Sequence, residues 1–207
     1  MAMIDSAGRE ILEDIWRLHK HVLEIHDTIL SCNNMKELKE EVEEAVEEAE
    51  MMKDIIARKS MVFIIRYQPL GRDLLLAETS INVAYDLYRI ARYFREIVAA
   101  VEQLGGFSNV LSQDELQAFV QLKEMIELAI STYMSWKPHA VKKVIDLDNV
   151  YDELYRRYLN LVLKSEQVDS KIALRLLIVR HMERIADHAT YIVRSAERLW
   201  KSPSLSY

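Results

Sequence analysis

Apolar residues recur along most of the chain at intervals of three and four positions, which is the spacing of one face of an α-helix. The clearest case is a stripe near the end of the sequence, formed by Ile178, Met182, Ile185, Ala189, Ile192, Ala196 and Leu199. No stretch alternates apolar and polar residues in the way that a half-buried β-strand does. The pattern therefore predicts an all-α protein.

Residues that end and start helices divide this pattern into six segments. Pro69 is compatible only with a first helical turn, so we expect one helix to end near Tyr67 and the next to begin at Pro69. The clearest linker is LGGFSN at 104–109, and Ser112 with Glu115 restarts a helix after it. The predicted helices span 5–31, 34–67, 69–104, 112–136, 138–165 and 169–200.

The third and sixth predicted helices carry the same pattern. Moving the apolar stripe back by 95 positions gives a second one, formed by Val83, Leu87, Ile90, Phe94, Ile97, Val101 and Leu104. The tripeptide Arg-Ile-Ala occurs at 89–91 and again at 184–186. Because three helices precede the glycine linker and three follow it, we predict an internal duplication. One three-helix bundle would comprise residues 1–106 and a second residues 107–207.

Composition supports long helices and narrows the class of protein. Only 4 glycines and 3 prolines occur in 207 residues. The net charge of −6 argues against a nucleic-acid-binding protein, which needs a basic face. The single cysteine, Cys32, excludes an internal disulfide and suits the cytoplasm. Since the first residues do not resemble a signal peptide and no apolar run reaches the roughly 18 residues of a membrane span, we expect a soluble cytoplasmic protein.

Two pairs of acidic residues are the strongest candidates for chemistry. Asp148 and Asp152 lie one helical turn apart, and so do Glu183 and Asp187. If their helices are antiparallel neighbours, the four carboxylates converge and need either raised pKa values or a cation. Hard oxygen ligands suit Mg²⁺, Mn²⁺ or iron. The alternative is that the acids are solvated and pair with nearby arginines.

Other charged and ionisable residues favour simpler interpretations. The glutamate-rich run at 40–50 is typical of a solvated helix face. His19, His21 and His26 lack cysteine or HExxH partners, so we expect surface or rim residues and no zinc site. No nucleophile–base pair, phosphate-binding glycine loop or dinucleotide motif occurs, so we do not expect an enzyme.

The acidic helices also carry a family resemblance. VRHMERIADHATYIV at 179–193 resembles the signature helix of the PhoU family of phosphate-uptake regulators. RYQPLGRDL at 66–74 is similar to that family's first-repeat turn, and DNVYDELY at 148–155 to its second-repeat acidic helix. The resemblance covers nearly the whole chain. It implies two similar three-helix bundles side by side.

The resemblance also implies a metal site in the second repeat. Some family members bind multinuclear metal clusters through E/D-x-x-x-D pairs, and the matching residues here are Asp148, Asp152, Glu183 and Asp187. Divalent or ferric ions are expected, with iron, manganese, magnesium and zinc all left open.

The first repeat departs from the family's pattern. Its matching positions hold Val46, Glu50, Tyr88 and Arg92, so we expect no metal cluster there. Arg92, beside Glu50 or Glu47, could supply the neutralising charge instead.

By resemblance, the chain is a regulator of phosphate uptake. It would dock on the ATPase subunit of the phosphate ABC transporter and on a phosphate-sensing histidine kinase, at the inner face of the membrane, and form a homodimer. Two alternatives stay open: a metal-free helical adaptor for another transport system, and a carboxylate-bundle metal-binding or storage protein. The storage alternative predicts Glu-x-x-His motifs, which the acidic pairs lack.

Overall fold

Six long helices make up nearly all of the described chain. The structure is a computed structural model that describes residues 2–32, 34–107 and 111–201, with side chains from residue 6 onward. The helices are α1 (Ala2–Ser31), α2 (Met35–Tyr67), α3 (Arg72–Glu102), α4 (Gln113–Met134), α5 (Pro138–Lys164) and α6 (Ser170–Lys201). These described residues contain no strand, and the all-α prediction is confirmed.

Local capping explains most of the helix boundaries. Ser112 and Glu115 form a reciprocal capping box that starts α4: the Ser112 amide donates to Glu115 Oε2 at 2.6 Å, and the Glu115 amide donates to Ser112 Oγ at 3.4 Å. Asp169 Oδ1 accepts a hydrogen bond from the Ile172 amide at 2.7 Å and caps α6. Short polar side chains before each apolar run therefore set where these two helices begin.

The start of α3 differs from the prediction. Pro69 lies in the connection rather than in a first helical turn, and α3 begins at Arg72. Gln68 ends α2 in the left-handed conformation with φ 45°, and Gly71 has φ 56°. Two residues with positive φ within four positions turn the chain sharply, and α3 starts after the second one.

The helices form two bundles that share one extensive interface. Helices α1, α2 and α3 pack together, as do α4, α5 and α6, and α3 contacts α6 more extensively than any other pair of helices. The boundary predicted at 106/107 falls in the connection between α3 and α4, of which residues 108–110 lie outside the described residues, so it stays a prediction. In the described part of the chain, no helix is both long and apolar enough to cross a membrane.

Helices α3 and α6 run antiparallel. Arg72 at the start of α3 stacks over the ring of Trp200 near the end of α6, at 4.0 Å. Further along, His188 Nδ1 lies 2.8 Å from the Asp86 carboxylate. Residue numbers thus rise along α3 as they fall along α6. All of the predicted stripe residues on both helices are fully or nearly fully buried except Leu104, which is partly buried against the same core.

Contacts across this interface repeat with approximate twofold symmetry. The 95-residue offset relates Asp86 to His181 and Tyr93 to His188. The pair Asp86–His188 therefore has a counterpart in Tyr93–His181, whose ring centroids lie 5.6 Å apart. An antiparallel contact between equivalent helices places a pseudo-twofold axis between them, as a duplication predicts.

Two of the three histidines expected at the surface are in fact buried. His26 packs between Phe94 and Phe119, and its Nε2 donates to the Phe119 carbonyl oxygen at 3.0 Å, joining α1 to α4. His19 is also buried, and burial lowers its pKa to about 4. The surface prediction was wrong because a neutral imidazole can be buried, in His26 with one hydrogen bond and aromatic neighbours and in His19 beside the ring of Trp16.

We expect the Asp86–His188 pair to stabilise the joint between the bundles. His188→Ala leaves a buried carboxyl group without its partner and should lower the free energy of unfolding by about 3 kcal/mol in urea denaturation. The Asp86→Ala/His188→Ala double variant should lose less than the sum of the two single variants. The matched control is Arg198→Ala, which removes an exposed ion pair to Glu78 at the same interface and should cost less than about 1 kcal/mol. If the double variant lost as much free energy of unfolding as the two single variants together, Asp86 and His188 would not be coupled.

Candidate metal centre

The two acidic pairs lie on α5 and α6, which pack against each other. Burial raises the pKa of Asp148, and the negative charges of Asp187 and Asp152 raise it further. Burial also raises the pKa of Glu183, again with contributions from Asp187 and Asp152. The carboxylates of α5 and α6 therefore influence each other's charge across the contact between these helices.

The cluster has a buried floor and an open rim. Glu183 is only 7% exposed, and its Oε2 atom is buried without a hydrogen-bond partner among the described residues. The side chains of Asp152 and Asp187 are 36% and 22% exposed. Arg184 Nε lies 3.7 Å from this oxygen and offsets part of its charge, and a cation entering from the rim would compete with that ion pair.

Arginines compete for the same carboxylates. Three of the acids accept hydrogen bonds from an arginine on their own helix: Arg156 to Asp152 at 3.3 Å, Arg180 to Glu183, and Arg184 to Asp187 at 3.0 Å. Within the described residues, no group of three or more histidine, cysteine, aspartate or glutamate side chains is arranged to hold a metal ion. The side chains therefore adopt an arginine-neutralised arrangement.

Two of these arginine contacts, those of Asp152 and Asp187, are weak enough to be exchanged. The Arg156 side chain is 71% exposed, and that of Arg184 is 39% exposed. Ion pairs between such side chains contribute at most about 1 kcal/mol in water. A divalent or ferric ion that bridges several carboxylates can displace them, and both readings of the acids from the sequence remain compatible with this geometry.

The histidines next to the acids belong to a different surface. His181 and His188 point towards α3, where their rings lie 5.6 and 5.8 Å from that of Tyr93. Neither supplies a nitrogen ligand beside the carboxylates. The chemistry offered is thus that of carboxylate oxygens alone, which favours hard cations and disfavours a mixed glutamate–histidine di-iron site.

The equivalent position in the first bundle contains a lysine. Lys53 Nζ lies 4.7 Å from the centroid of the Tyr88 ring and 3.6 Å from Glu50 Oε1. Arg92, the cation expected there from the sequence, makes no ion pair with any residue that the structure describes. Lys53 was missed because it lies outside the aligned motif, although its i+3 spacing from Glu50 is a signal that helix geometry provides.

Each half of the chain matches the same known protein family. The sequence model of the PhoU domain matches residues 15–101 and again residues 116–196, one match in each bundle. The chain belongs to the PhoU family. The resemblance inferred from the acidic helices is thereby confirmed, and so are the two PhoU repeats.

Individual PhoU relatives agree over most of the chain. A phosphate-specific transport system accessory protein PhoU homolog of Synechocystis is 29% identical over 70% of both chains. One from Archaeoglobus fulgidus is 22% identical over 97% of this chain and 99% of its own. The crystal structure of the phosphate transport system regulatory protein PhoU from Streptococcus pneumoniae superposes with a TM-score of 0.80 at 20% identity, covering 99% of this chain and 100% of that one. At that identity the likeness shows the fold.

We expect Asp148→Asn to stabilise this PhoU chain when no metal is bound. At pH 7 the free energy of unfolding should rise by roughly 0.5 kcal/mol, because a half-buried negative charge beside two others is removed. The pKa of Asp148 is raised in the folded state, so the penalty for its charge is complete above the folded pKa and shrinks as the pH falls through it. The increase in the free energy of unfolding should therefore become smaller as the pH is lowered towards about 4.

Urea denaturation in EDTA measures this effect across the pH range. Asp146→Asn, on the exposed side of α5, is the matched control and should leave stability unchanged. A variant less stable than the parent at pH 7 in EDTA would contradict the mutual repulsion of the acids.

Proposed function

We propose that this chain regulates phosphate transport. The observation that carries the proposal is the double PhoU match, which covers both bundles, together with relatives named as accessory proteins of the phosphate-specific transport system. The chain acts by binding and not by catalysis. In this role it docks on the cytoplasmic face of the phosphate ABC transporter, at its ATPase subunit, and also on a phosphate-sensing histidine kinase.

The second repeat is the metal-binding half in this proposal. Asp148, Asp152, Glu183 and Asp187 would hold the ion or ions. The proposal is supported by the pKa values of Asp148 and Glu183, which burial and the charges of Asp187 and Asp152 raise, and by Glu183 Oε2, which is buried and accepts no hydrogen bond within the described residues. A bound cation would neutralise the cluster and tie α5 to α6.

A second candidate is a metal-free regulator. The arginine partners of Asp152, Glu183 and Asp187 favour it, since they already neutralise much of the negative charge. In that case the acids fix the arginines on the helix surface for partner recognition. The two candidates differ in one measurable quantity, the metal content.

We expect metal to bind to the second repeat and to be lost from it selectively. Protein purified without chelator and exposed to magnesium, manganese, zinc or ferric salts should retain metal by elemental analysis. Asp152→Asn/Asp187→Asn should lower the retained metal by at least about tenfold while the helical circular dichroism persists. The control variants Glu153→Gln, next to the cluster, and Glu50→Gln, at the first-repeat counterpart of Asp152, should retain it. Unchanged metal in the double asparagine variant would place binding elsewhere.

Loss of the chain should raise phosphate uptake. Deleting its gene should increase the initial rate of radiolabelled phosphate uptake in phosphate-replete cells, because the restraint on the transporter is gone, and a plasmid copy should restore it. Cells that also lack the transporter are the control and should show no increase. An unchanged phosphate uptake alongside altered uptake of another ion would favour an adaptor of a different transport system.

A further inference from the structure

One face of α3 carries a group of arginine and tyrosine side chains that lie outside the core. They are spaced i, i+3, i+4, i+7 and i+8, which places them on one side of the helix. Each is partly or fully exposed, whereas Leu87, Ile90 and Ala91 between them are buried. The members of this arginine–tyrosine cluster are Tyr85, Tyr88, Arg89, Arg92 and Tyr93.

Arg89 of this cluster has an aromatic neighbour but no carboxylate partner. Its guanidinium carbon lies 4.9 Å from the centroid of the Tyr93 ring, and its Nη2 atom donates a hydrogen bond to the Tyr93 hydroxyl. Its Nε atom is buried and has no hydrogen-bond acceptor among the described residues. Neither Arg89 nor Arg92 forms an ion pair with any residue that the structure describes. A partly buried guanidinium without an anion is unfavourable, so the cluster lacks a negatively charged partner.

The duplication shows which partner is missing. The 95-residue offset relates Arg89 to Arg184 of the second repeat. Arg184 forms ion pairs with Glu183 at 3.7 Å and with Asp187 at 3.0 Å. In the first repeat, a tyrosine and a second arginine occupy the two carboxylate positions, at 88 and 92. The first repeat therefore lacks both anions that neutralise this arginine in the second repeat, and it has a further positive charge.

Three acids close to the cluster have cations of their own. Asp86 pairs with His188 at 2.8 Å, Glu96 with Arg95 at 3.2 Å and Glu50 with Lys53 at 3.6 Å. Arg92 pairs with neither Glu47 nor Glu50, the partners that the sequence offered for it. Arg89 and Arg92 thus remain like charges one helical turn apart, and such a pair repels unless an anion neutralises it.

The cluster lies at the joint between the two bundles. Along α3, Arg89 falls between Asp86 and Tyr93, which contact His188 and His181 of α6 respectively. The ring of Tyr93, over which Arg89 stacks, also lies 5.8 Å from the His188 ring. An anion held by Arg89 would therefore adjoin the contact that joins the bundles.

The hydrogen-bond donors of the cluster suit a phosphate group. A guanidinium group can bind two phosphate oxygens through parallel N–H donors. The Tyr93 hydroxyl accepts a hydrogen bond from Arg89 and keeps its own proton to donate to an anion. Because the cluster is partly open to water, we expect weak binding, with a dissociation constant of about 1 mM.

We propose that Arg89, Arg92 and the Tyr93 hydroxyl bind a phosphate group at the joint between the bundles. The choice of phosphate among tetrahedral oxyanions rests on the proposed function, the regulation of phosphate transport. The anion takes the role that the carboxylates of Glu183 and Asp187 have beside Arg184 in the second repeat. Binding at this site needs no metal ion.

Equilibrium dialysis with radiolabelled inorganic phosphate tests the site. The measurement is made at constant ionic strength in EDTA, so that metal bound by the second repeat cannot hold phosphate. The parent chain should bind one phosphate. Arg89→Gln/Arg92→Gln should raise the dissociation constant at least about tenfold, because both guanidinium groups are removed. The matched control, Arg157→Gln/Lys164→Gln, removes two exposed positive charges from α5 and should bind like the parent.

The second repeat supplies a variant that keeps Arg89 and blocks the site. Tyr88→Glu/Arg92→Asp copies the residues found beside Arg184, so the fold should tolerate it and the helical circular dichroism should persist. Its new carboxylates compete for Arg89, and phosphate affinity should again fall at least about tenfold. If this variant and the double glutamine variant bound phosphate like the parent, the site would lie elsewhere. A parent chain that binds no phosphate up to about 10 mM would overturn the proposal.

Two further measurements separate the source of the phosphate group and the two proposals. Displacement by glycerol 3-phosphate would show that the cluster also takes phosphate esters, and its absence that it takes the free ion; either result supports the site. Increased phosphate uptake after gene deletion, combined with no phosphate binding in dialysis, would overturn this site and leave the proposed function standing. Phosphate binding that is lost in both variants, with uptake unchanged by deletion, would support the site and count against the proposed function.

Discussion

The antiparallel packing of α3 on α6 is the contact on which the rest of the molecule depends. Each helix is the core helix of its own bundle, and each presents part of its surface to the other bundle. A helix that is buried nearly all round needs apolar or satisfied polar residues on every face. This explains why polar pairs such as Asp86–His188 and Tyr93–His181 occur here in symmetric positions. It also means that few substitutions in the interface between α3 and α6 preserve its packing.

Because α3 and α6 form the interface between the bundles, the exposed residues of the outer helices α2 and α5 can differ between the two repeats. Helices α2 and α5 each lie at the far side of their own bundle, so only one face of each is committed to packing. On α2 the free face has become acidic at one end and apolar with basic residues at the other, while on α5 it is charged throughout much of its length. In the duplicated scaffold, α3 and α6 thus keep equivalent packing roles, whereas the exposed faces of α2 and α5 differ in charge and hydrophobicity.

Local periodicity predicted the helices and both apolar stripes because burial of one helix face is a property of adjacent turns. It did not predict the turn at Gln68–Gly71, since left-handed backbone conformations depend on how the two helices pack afterwards. It also placed His26 at the surface, because its partner, the carbonyl oxygen of Phe119, lies 93 residues away. The arginine partners of Asp152, Glu183 and Asp187 follow from i, i+3 and i, i+4 spacing on one helix, which is why pairing with nearby arginines could be expected from the sequence.

The two repeats neutralise the negative charge at equivalent positions in different ways. In the first repeat, Lys53 is covalently part of α2 and is held over Tyr88 between Glu50 and Asp54, so its charge is always present at the site. In the second repeat, Arg156, Arg180 and Arg184 pair with three of the four carboxylates, and burial and the neighbouring acids raise the pKa values of Asp148 and Glu183. One lysine held over an aromatic ring therefore neutralises the acids of the first repeat, whereas several arginines neutralise those of the second.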